Sequence, residues 1–134
     1  VANAKIIDAA GAHKLLERVV RGKEDHIYVR PVARLCLYEH DGKPSCLIGQ
    51  ALALAGWLPE ELAVLDNWPV ECTEAAALYE WYPELFTWGG AAVFDAAQKT
   101  QDQGGTWGAA LERAGQRLFE VQKAEHDANG AKGG

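Results

Sequence analysis

Apolar residues recur at helical spacing near the start of the chain. Ile6, Ala9 or Ala10, Ala12 or His13, Leu16 and Val19 or Val20 fall on one stripe, which predicts a helix over 4–21. Gly22 stops it, and Lys-Glu-Asp follows as a polar loop. The pattern then changes. HIYVR at 26–30 and RLCLYE at 34–39 are β-branched and aromatic, with rough alternation. A link around Pro31 joins them as an expected hairpin, which must pack on helices to persist.

HDGKPS, residues 40–45, is the clearest turn. Asp41-Gly42 supplies positive φ, and Pro44 is suited to a helix start. Residues 44–56 are almost wholly apolar and predict a buried helix that ends at Gly56. LPEEL starts a short helix at 59–65, with Pro59 and two acids in its first turn. Asp-Asn-Trp-Pro-Val is a loop, Thr73 caps a turn running to Tyr79, and Pro83 breaks the next stretch. Thr87 caps a helix at 88–101 carrying Trp88, Ala91, Ala92, Val93, Phe94 and Ala97. Thr106 caps the last helix, where Trp107, Leu111, Ala114, Leu118 and Val121 form a regular stripe. The expectation is one domain over 1–124 with a flexible tail at 125–134. Its class is mostly α (α+β): about five helices around one small β-hairpin. The hairpin and the 44–56 helix are expected at the centre.

Composition narrows the function classes. The 134 residues are enough for one core, and no apolar run approaches a membrane span. VANAKIIDAAGAHK lacks the layout of a secretory signal, so the expected location is the cytoplasm. Three cysteines are an odd number for a disulfide framework. Charge is uneven. Residues 1–35 hold seven Lys/Arg against four Asp/Glu, whereas residues 36–90 hold one Lys against nine acids. An acidic middle argues against a nucleic-acid partner, because phosphate contacts need cations. It suits a basic protein partner.

Three chemistries have candidate residues in the chain. Cys46 stands where a turn becomes a helix, with His40 or His26 as a candidate base for a small hydrolase. Leu47 and Ile48 follow it, however, and favour burial of the thiol. Cys36, His40 and Cys46, with Cys72 or His26, are candidate zinc ligands, but their spacing is not a strong zinc pattern. Carboxylate pairs such as Glu80 and Glu84 straddle Pro83 and specify nothing. The reading is therefore no enzyme, no metal and no cofactor.

The aromatic stretch says more. YEWYPELFTW, residues 79–88, holds five aromatics and two acids, with Trp57 and Trp68 upstream. A chain this short cannot easily bury five tryptophans, and partly exposed Trp and Tyr mark binding surfaces. Trp68, Tyr79, Trp81, Tyr82, Glu84 and Trp88 are the candidate protein-binding residues. An acidic mimic of nucleic acid, using acids 60–84, is the competing binding mode.

Two stretches carry a resemblance. CLYEHDGKPSCLIGQALALAG and QKTQDQGGTWGAALERA together resemble small uncharacterised proteins of actinobacteria and of the phages that infect them. The shared forms are Asp-Gly-x-Pro-Ser-Cys-Leu-x-Gly and Gln-Asp-x-Gly-x-x-Trp, and the likeness spans roughly residues 28–115. It implies a phage accessory or lysogeny-region protein acting in the cytoplasm of a bacterial host, with a host or phage protein as its partner, and it carries no activity. A His often follows the Gly of Cys-Leu-x-Gly in that group. Gln50 stands there in this chain, which weakens any ligand or base role. Monomer and homodimer both remain compatible with the last helix.

Overall fold

The computed structural model describes residues 5–30, 37–67 and 74–133. The fold is mostly helical, with six α-helices and one two-stranded antiparallel hairpin among the described residues. In chain order they are α1 (Ala9–Val20), β1 (Glu39–His40), β2 (Lys43–Pro44), α2 (Leu47–Leu54) and α3 (Pro59–Asn67). A 3-10 turn (Ala75–Ala77) follows, then α4 (Leu78–Trp81), α5 (Trp88–Asp102) and α6 (Trp107–Gly133).

Local chemistry sets most boundaries. The Asp8 carboxylate accepts from Gly11 N at 2.7 Å, so α1 begins at Ala9 and not at residue 4. That leaves Ile6 exposed, while Ile7 is buried in a parallel bridge to Phe86. Ala9, Ala12, Leu16, Val19 and Val20 form the buried face of α1. Thr87 Oγ1 accepts from Gly90 N at 3.0 Å, and Thr106 Oγ1 from Ala109 N at 3.1 Å, which fixes the starts of α5 and α6. The expected stripe on α6 points inward: Trp107, Ala114 and Val121 are buried, and Leu111 and Leu118 are partly so. The helix continues past residue 125, where a tail was expected, with the side chains of 122–129 exposed.

Two expectations need correction. The described hairpin does not join 26–30 to 34–39. Glu39 pairs with Pro44 and His40 with Lys43, around Asp41 (φ 52°) and Gly42 (φ 76°). Two consecutive positive φ values match the twist of a tight hairpin, so the Asp-Gly turn closes strands on itself and the helix start moves beyond Pro44. Among the described residues Ile27 forms an antiparallel bridge to Thr106, and residues 31–36, where the link and the start of the second expected strand fall, lie outside them. The centre is also different. Helix α5 packs against α1, α2, α6 and the 3-10 turn, while the hairpin lies beside α2 and α3. Both faces of α5 are therefore buried along most of its length, including Gly89, Gly90, Val93, Phe94, Ala96 and Ala97.

Candidate functional site

The cysteine at the turn is a structural cap. Cys46 is fully buried, and its Sγ accepts from Gly49 N at 3.4 Å as the N-cap of α2. Its own N–H donates to the Leu37 carbonyl at 2.9 Å. Burial pushes the thiol up to about 12, well outweighing the Gly49 and Ile48 amides that favour the thiolate. A thiol so held is a poor nucleophile near neutral pH. The two candidate bases are engaged elsewhere. His40 Nε2 lies 3.2 Å from Asp41 Oδ2 in the turn, and His26 stacks edge-on against Trp107 with centroids 4.5 Å apart. Among the described residues no cluster of His, Cys, Asp and Glu has the arrangement of a metal site. Cys36 and Cys72 lie outside the described residues.

The two sequence motifs meet through one side chain. Gln101 is buried, and its Oε1 accepts from Leu47 N at 2.8 Å and from Trp107 Nε1 at 3.2 Å. It thus satisfies a first-turn amide of α2 and fixes the indole that starts α6. Its Nε2 donates to Asp102 Oδ1 at 3.1 Å. One helical turn earlier, Gln98 Oε1 accepts from Ala75 N at 2.7 Å, and its Nε2 donates to the Tyr38 hydroxyl at 2.8 Å. Asp66 is the third such group. Its carboxylate accepts from Tyr38 N at 2.7 Å and Glu39 N at 3.1 Å, and burial raises its pKa despite those bonds. Asp66 therefore holds the hairpin and contributes little to an acidic surface across 60–84. Sequence reasoning missed Gln98 and Gln101. Their signal was present: Phe94, Ala97, Gln98 and Gln101 continue one stripe at spacings 3, 4 and 7.

The aromatic stretch divides. Tyr79 and Trp81, on α4, are 42% and 41% exposed, and Glu80 and Glu84 beside them are exposed. Leu78 and Phe86 are buried and anchor the segment from either end. Tyr82 is half-buried, with its ring edge-on to Trp57 at 5.2 Å. Burial raises the Tyr82 pKa, and the nearby carboxylates of Glu61 and Glu84 raise it further. The first turn of α3 and the turn after α4 thus converge on one acidic, aromatic surface. Exposed Leu58 and Val64 add apolar area from that part of the chain. Trp88 is 51% exposed but belongs to α5, where Arg117 of α6 lies 5.3 Å from its ring centroid. Trp68 lies outside the described residues.

Comparison of the chain with protein-family models, with curated proteins and with solved structures gives no match. No helix among the described residues is long and apolar enough to cross a membrane.

Proposed function

We propose that this protein acts by binding another protein through the acidic, aromatic surface of residues 79–84 and the first turn of α3. The observation that supports this most is the joint exposure of Tyr79 and Trp81, on a short helix anchored by buried Leu78, with Glu80 and Glu84 exposed beside them. Large, stiff aromatic rings contribute contact area at low entropic cost, and flanking carboxylates select a basic partner. Trp88 belongs to a separate patch in this reading. The motif resemblance to small proteins of actinobacteria and their phages favours an accessory role inside a bacterial host. The partner is then a host or phage protein in the cytoplasm. Catalysis is not part of the proposal, since the cysteine that invited it is a buried cap.

The test is affinity capture from an actinobacterial lysate with wild type and Trp81→Ala. A specific protein held by wild type and lost by the variant, which still unfolds in one cooperative transition, is the expected result. Equal capture by both chains defeats the proposal. Capture that survives Trp81→Ala but disappears at high salt points to the charge-driven mimic instead.

A further inference from the structure

A groove of about 840 Å³ runs along α1, away from the buried caps. Gly11, Lys14, Leu15 and Arg18 line it at spacings 3, 4 and 7, so they share one helical face. The extended lead Lys5–Ile7 and Ala55 at the end of α2 complete the described lining. Its apolar part includes Ile6, which is 55% exposed. Its charged part is cationic, with no carboxylate among the described lining residues. Elsewhere Lys99 is held by Asp95, and Arg113 and Arg117 by Glu120. Lys5, Lys14 and Arg18 form no ion pair with a described residue.

Cations without an ion pair among the described residues, beside an apolar strip, call for an occupant that brings carboxylates and large apolar side chains together. The chain carries such a segment, Tyr79-Glu80-Trp81-Tyr82-Pro83-Glu84. Groove and segment are tied side by side. Ile7 N donates to the Leu85 carbonyl at 2.8 Å, and Thr87 N donates to the Ile7 carbonyl at 3.0 Å. Two complementary patches on neighbouring strips of one molecule suit a two-fold dimer, in which each pairing occurs twice. We infer that the groove along α1 is the docking site for residues 79–84 of a second copy of this chain. Its cations meet Glu80 and Glu84, and its apolar lining meets Trp81. The inference rests on the reading of 79–84 as an interaction surface and puts a second copy of the chain in the place of the host or phage partner.

Sedimentation equilibrium at about 100 µM chain tests it, at roughly 0.05 M and 0.5 M salt. Wild type is expected at twice the 14.5 kDa chain mass in low salt, shifting toward one chain in high salt. Lys14→Glu/Arg18→Glu and Glu80→Lys/Glu84→Lys are each expected to be monomeric. An equimolar mixture of the two regains the doubled mass, because each then offers what the other lacks. That rescue also demonstrates that both variants are folded. A wild type that remains a single chain overturns the inference, as does a dimer that persists in both variants. A monomeric wild type that still captures another protein through Trp81 refutes self-docking and leaves the binding reading intact. A monomer with no Trp81-dependent capture defeats both.

Discussion

Replacing Gln101 with Ala removes the one acceptor shared by Leu47 N and Trp107 Nε1. Both donors are buried, so water does not replace the lost bonds. A buried donor left unsatisfied costs about 1–3 kcal/mol, which puts the pair at about 2–6 kcal/mol. A domain of this kind has only about 5–15 kcal/mol in total. Gln101→Ala is therefore expected to lower the urea midpoint sharply, read by tryptophan fluorescence. The exposed Gln103→Ala, at the end of the same helix, is the control and is expected to stay within about 0.5 kcal/mol of wild type. Trp107→Phe supplies the decisive comparison. It removes one of the two donors, so Gln101→Ala should cost about 1–2 kcal/mol less in that background. A loss below about 1 kcal/mol, or equal costs in the two backgrounds, would show that Gln101 does not join the two motifs.

Two further outcomes follow from the same packing. A methyl group at Gly49 would overlap the Tyr38 carbonyl oxygen and stand 2.9 Å from its carbon, and that backbone is itself held by Asp66. Gly49→Ala is thus expected to destabilise by about 1–3 kcal/mol in urea unfolding, and an unchanged midpoint would refute the close approach of α2. The Cys46 thiol is raised from 9.0 to about 12, so the folded chain keeps a proton that the unfolded chain releases. Stability from this group is whole below pH 9 and falls as pH rises toward 12, by up to about 4 kcal/mol. The difference in unfolding free energy between wild type and Cys46→Ala, followed against pH, should shrink across that window. A difference that stays level would contradict the buried thiol, as would alkylation of Cys46 in the native protein near neutral pH.

Short-range signals carried most of the helical frame. Thr87, Thr106 and the spacing of Trp107, Leu111, Ala114, Leu118 and Val121 act within a turn or two of themselves, so α5 and α6 were legible. The apolar run after Cys46 foretold a buried helix and a buried thiol for the same reason. Asp41-Gly42 was legible as a turn, but its strands were not, because two residues on each side carry too little alternation to show pairing. The start of α1 was misplaced because Asp8 as a cap competes with an apolar stripe that runs through Ile6. For the aromatic stretch, composition indicated excess aromatic area without showing which rings turn outward.

The sequence by itself determined a mostly helical domain, its turn chemistry, its charge imbalance and the presence of more tryptophan than a small core holds. Tertiary structure alone decided the roles of particular polar side chains. Gln101 meets Leu47 across 54 positions, and Gln98 meets Tyr38 across 60. No local pattern encodes such a bond. It exists because burial removes water from both partners, and only the assembled core brings them within reach. The same assembly separates Trp88 from Trp81, seats His26 on Trp107 and turns Asp66 inward to hold the hairpin. The exposed Tyr79 and Trp81 among acids, and the cationic groove along α1, are part of what the core left over.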